Sequence, residues 1–121
     1  MIGEELKWAT GTGTLHGKPV ARSIASTPDA RTTIEIIGPP RAIKQIVVVG
    51  QMVDEDSAKQ AATYMAIAVR LILPQWDGAD AWLAAGLRNV KAKPQTISVH
   101  GWRVGVRWMP DLQAVGLQAT R

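Results

Sequence analysis

Apolar and polar positions alternate along the first part of the chain and again along the last, and between these stretches the period lengthens to that of a helix. Trp8 to Leu15 and Lys18 to Ser26 read as two strands joined across His16-Gly17, where glycine accepts positive φ and histidine tolerates it better than most residues. Pairing across that turn sets Leu15 opposite Lys18, Gly13 opposite Val20, Gly11 opposite Arg22 and Ala9 opposite Ile24, on what the pattern predicts to be the apolar face. The turn Thr27-Pro28-Asp29-Ala30 leads into a third strand, Thr32 to Gly38, which Gly38-Pro39-Pro40 ends. A fourth run, Ile43 to Gln51, holds Ile46-Val47-Val48-Val49 and is apolar on both sides, as expected of a central strand covered on both faces.

Asp54-Glu55-Asp56 then supplies an N-cap and negative charge for a first helical turn, and apolar residues run from Ala58 through Leu73 until Pro74 stops the helix. Its polar stripe is thin: only Lys59, Thr63 and Arg70 recur on one side. Such a helix needs cover from more than one neighbour. A second helix, capped by Asp77 and passing through Asp80, Trp82, Leu83 and Leu87 toward Arg88, is one expected cover, and a second copy of the chain is the other.

Period two returns at Gln95 to Val99 and Trp102 to Trp108, which flank His100-Gly101. That turn pairs Val99 with Trp102 and Ile97 with Val104, on the face of Val106 and Trp108, and leaves Thr96, Ser98, Arg103, Gly105 and Arg107 on the other. Pro110-Asp111 leads into a final strand, Leu112 to Thr120. The expected fold is therefore α+β, a single domain over residues 1–121. It has a mostly antiparallel meander sheet of about seven strands, with two helices inserted after strand four and packed on one face.

Composition narrows the chemistry. Hydrophobic residues make up 46% and charged ones 20%, as in ordinary globular proteins. The absence of cysteine excludes disulfides, thiolate metal sites and a cysteine nucleophile. Glu4 and Glu5 stand where a signal peptide would be positive, and the longest apolar region, Ala61 to Leu73, contains Arg70 and falls short of the roughly 20 residues of a membrane span. The default expectation is a cytoplasmic protein without membrane contact. The net charge of +4 is concentrated late: Arg88, Lys91, Lys93, Arg103, Arg107 and Arg121 face the lone acid Asp111.

Gly11 to Lys18 has the look of a phosphate loop but fails in detail, because Thr12 stands where the Walker glycine belongs and Pro19 where its Ser or Thr belongs. His16 and His100 both fall in tight turns, and the acids are accounted for as caps, first-turn charges, turn residues and, for Glu4 and Glu5, the terminus, save Glu35, which reads as a solvent-facing strand residue. No catalytic constellation, metal cluster or cofactor motif emerges, so the chain reads as a non-enzyme.

Five tryptophans and no phenylalanine suit an interface or a ligand cage. Trp102 and Trp108 share a face but lie roughly 20 Å apart at about 3.3 Å per residue, so a cage would need Trp76 or Trp82 as its second wall. Arg22, set among apolar residues and beside Gly11 and Gly13, is the remaining ligand candidate. The leading expectation is a non-enzymatic binding or assembly module, homodimeric through an apolar Trp-containing surface. Its alternative is a receptor for a small apolar or planar ligand, held between sheet and helices by Arg22, Trp76, Trp82 and Trp102. Nucleic-acid binding through Arg103 and Arg107 ranks last, because the tryptophans lie on the opposite strand face.

Overall fold

A computed structural model describes residues 7–15, 17–39 and 41–121. The N-terminal acids Glu4 and Glu5, the turn residue His16 and Pro40 lie outside the described residues. The chain forms β1 (Lys7–Leu15), β2 (Lys18–Ser26), β3 (Thr32–Ile37), β4 (Gln45–Gln51), α1 (Glu55–Ile72), α2 (Ala79–Asn89), β5 (Gln95–Val99), β6 (Trp102–Met109) and β7 (Ala114–Thr120).

Both hairpins take the register expected from their turns, with Gly11 opposite Arg22 and Val99 opposite Trp102. At the second, His100 and Gly101 have φ of 48° and 82°, the paired left-handed conformation that matches the twist of the flanking strands. All seven strands form one antiparallel sheet in the order β1-β2-β3-β4-β7-β6-β5. Two meanders are thus joined by the pairing of β4 with β7, where Val48 faces Leu117 and Val49 faces Gly116.

The long helix begins as its acids predict. The Ser57 N–H donates to Asp54 at 2.8 Å and the Asp54 N–H donates to the Ser57 hydroxyl at 3.1 Å, a reciprocal cap that satisfies two otherwise free donors. The Ser57 N–H first, then its hydroxyl and, against a desolvation cost, the Arg31 guanidinium hold the Asp54 carboxyl below its usual pKa. In the β2–β3 turn, Asp29 is lowered likewise, first by the Thr27 hydroxyl at 2.6 Å and then by the Arg31 N–H.

Three expectations are corrected. Asp77 does not cap α2; Gly78 holds that position without a side-chain cap, because the preceding segment coils through tight turns from Leu73 to Trp76 and Trp76 to Ala79. Asp80 instead sits in the first turn and pairs with Arg70 of α1. The last strand starts at Ala114 and not at Leu112, since Pro110–Leu112 form a turn of 3-10 helix. The third concerns which faces are covered. β4 is covered on one face only: Ile46, Val48 and Gly50 are buried, while Val47 and Val49 on its other face are half-buried.

The cover comes from α1, which lies on β4 and reaches β3 and β7. A Cβ built on Gly50 would stand 2.3 Å from the Ala61 Cβ, so only the missing side chain lets the helix backbone approach this closely. α2 rests on the other meander, with Gly86 against Val106 and Gln95. Between the layers Ile46, Val48, Met65, Val69, Leu73 and Leu117 are fully buried and make up the core. Rows across the sheet fix the rest: Ala25, Ile34 and Val48 share the helix side, so Arg22 and Ile24 face away from it. Arg22 therefore does not sit on the core-facing side of the first hairpin, and β2, which extends past the helix, buries only Ala25.

Gly50→Ala is expected to lower stability by about 1–3 kcal/mol through overpacking against Ala61, read as a fall in the urea midpoint at unchanged slope. An unchanged midpoint would contradict the close seating. Because Asp29 and Asp54 have folded pKa values below their unfolded ones, the stability they add is present above about pH 4 and is lost as pH falls through the folded values. Asp29→Asn combined with Asp54→Asn should flatten the melting temperature against pH in the acid range, and an unaltered slope would refute the assignment.

Candidate functional site

The aromatic candidates gather on the helix side of the sheet. Trp76 and Trp82 are in contact, their ring centroids 5.8 Å apart at 47°, where the chain turns from α1 into α2. A recess of about 280 Å³ lies there, walled by Leu73, Pro74, Trp76 and Asp77 beside the Arg70–Asp80 ion pair. Trp102 is buried in the core with the Arg121 guanidinium over its ring at 5.9 Å, and Trp108 lies under the Lys91 ammonium at 4.7 Å. Arg22 is on the opposite side of the sheet from all of them. The four predicted ligand residues are thus divided: Trp76 and Trp82 meet, and Arg22 is engaged elsewhere.

Its engagement is plain. The Arg22 stem crosses Gly13, and its guanidinium donates to Glu35 at 2.6 and 2.9 Å. Glu35 is the only acid in any of the strands described, and this pair occupies it. With side chains 43% and 25% exposed, the pair is worth little to stability after solvent screening, but it neutralises the one carboxylate the described strands carry.

Farther along the same face, β4, β7 and β6 bring together residues that are far apart in sequence. Val47 and Val49 lie beside Gln118 and Gly116, which in turn face Gly105 and Arg107, and Arg103 stands next to Thr120. The result is a groove of about 360 Å³. Gly105 and Gly116 keep its floor low, Val47, Val49 and Met109 make it apolar, and Arg103 and Arg107 reach from the same strand. Among the described residues neither arginine pairs with an acid.

A second surface lies on the helix side, past α1. Gln60 accepts a hydrogen bond from the Thr32 hydroxyl of β3 at 3.0 Å, which turns the stripe of residues 60, 64, 67 and 71 toward the first meander. Tyr64 on that stripe is buried, whereas Ile67 and Leu71 are 46% and 57% exposed. Beyond them Thr10, Thr12, Thr14, Pro19, Ala21 and Trp8, itself 45% exposed, form an uncharged wing on β1 and β2.

The described residues include no cluster of three or more His, Asp or Glu side chains placed to hold a metal, and no helix long and apolar enough to cross a membrane. His100 is exposed at its turn. Compared with known proteins, the chain matches no family model, and neither a curated protein nor a solved structure proves similar to it. The sequence grouped Arg103, Gly105 and Arg107 on one face; the floor contributed by Val47, Val49 and Gly116 depends on the β4–β7 pairing, which no local signal announces.

Proposed function

We propose that the chain is a non-enzymatic assembly module that works as a homodimer, built on the uncharged wing of β1 and β2. The observation that carries this reading is the state of β1. It is an edge strand of nine residues whose outer backbone groups have no strand beside them among the described residues, and from Trp8 to Thr14 it carries no charge and no proline. Natural edges are usually blunted by charge, proline or shortness, because an unprotected edge pairs with another strand. The opposite edge is managed in this way: β5 has five residues and follows Lys93-Pro94.

Self-pairing suits the wing chemically. A two-fold contact sets the same patch against itself, so a neutral patch brings no like charges together. A strand edge alone buries too little, since stable interfaces remove about 1,200–2,000 Å² from water. Trp8 and the exposed flank at Ile67 and Leu71 supply the apolar area beyond the strand. The tryptophan of this interface is then Trp8, while Trp76, Trp82 and Trp102 pack within the monomer.

Sedimentation velocity tests the proposal. The chain is expected to sediment as a dimer at about 100 µM and to dissociate on dilution. Thr10→Lys with Thr12→Lys, both at exposed positions, should give a monomer with an unchanged far-ultraviolet spectrum. A wild-type monomer at that concentration, or a doubly substituted chain that still dimerises, would overturn it.

A further inference from the structure

We infer that the groove on the open face of the sheet is a binding site for a small amphipathic anion: a carboxylate, sulfonate or phosphate monoester carried on a flat or extended apolar body. The site is separate from the proposed dimer surface, since β4, β7 and β6 present it on the face that α1 and α2 leave uncovered.

Charge selects the sign of the ligand. Arg103 and Arg107 project from one strand about 13 Å apart along the backbone, with Gly105 between them. Among the described residues no acid lines the groove, and the one carboxylate of the described strands, Glu35, is held by Arg22. A guanidinium presents a planar fork of donors that matches an oxyanion, and neither fork is occupied by a protein partner among the described residues. The same two cations make this face a poor surface for self-association, where like charges would meet.

The floor selects the rest. Val47, Val49 and Met109 offer apolar surface around the two glycines, and a Cβ on Gly116 would come within 3.2 Å of the Met109 methyl group. That methyl group, and the Thr96 Cγ2 methyl 3.0 Å from the matching position on Gly105, lean into the space the two glycines leave, so the floor is lined by the ends of these side chains, one of them a flexible thioether. At about 360 Å³ the groove falls within the range of small-molecule sites. A nucleic-acid strand fits less well: every described aromatic ring lies on the helix side or in the helices, which leaves no ring on which a base could stack.

Fluorescence titration with 8-anilinonaphthalene-1-sulfonate tests the site, run in parallel with N-phenyl-1-naphthylamine, which has a similar ring system and no sulfonate. The expected result is one saturable sulfonate site per chain, with the neutral probe at least about tenfold weaker. Arg103→Ala with Arg107→Ala should weaken the sulfonate probe at least about tenfold while leaving the melting temperature in place, both side chains being exposed. Gly116→Val, which fills the floor and keeps both charges, should weaken both probes. Equal binding of the sulfonate by the double alanine variant, equal affinity for the two probes, or undiminished binding by Gly116→Val would each overturn the inference. Tighter and steeply salt-dependent binding of a short oligothymidylate at the same arginines would overturn it in favour of nucleic acid.

Discussion

The close approach of α1 to β4 is the constraint on which the other features depend. Gly50 and Ala61 let the helix backbone settle onto the central strand, and from that seat Met65, Val69 and Leu73 reach Ile46, Val48 and Leu117. A helix fixed there covers the middle of a seven-stranded sheet and cannot cover its ends. α2 extends the cover toward β6 and β5, and among the described residues nothing comparable extends it toward β1 and β2. The asymmetry leaves two surfaces of opposite character: an uncharged wing beside the helix, and a cationic groove on the side away from it.

Electrostatics keeps these surfaces distinct. Glu35 and Arg22 cancel near the first hairpin, so the cations beside the groove on the open face are those of β6. On α1, Glu55 pairs with Lys59 and Arg70 with Asp80, and past the first turn that holds Asp56 the outer flank shows the apolar Ile67 and Leu71. A neutral patch tolerates its own copy, whereas a cationic one favours an anion. A single fold can therefore carry an assembly surface and a ligand surface without the two competing for one place.

Much of this was legible in the sequence, and the parts that were not share a cause. The two-residue turn His100-Gly101 and the alternation around it fixed the register of its hairpin, because a short turn leaves one way to pair. Asp54 announced the helix start for the same local reason. Alternation does not say which face is covered, however: Val20 and Ile24 on one side of β2 and Ala21 and Ala25 on the other look equally plausible, and only the position of α1 decides. Likewise β4 is apolar on both faces, which read as two-sided cover and proved to be one covered face and one groove floor. Asp77 matched a cap by type, but the turns after Leu73 moved the helix start past it.

The central claim is that β1 is an edge left open for a second copy. Hydrogen exchange of the backbone amides at about 5 µM and about 200 µM examines it most directly, because a paired edge protects its outer N–H groups and a free edge does not. The account predicts that amides of residues 8–14 gain protection at the higher concentration while those of β5 stay unchanged. Identical exchange of β1 at the two concentrations would contradict it.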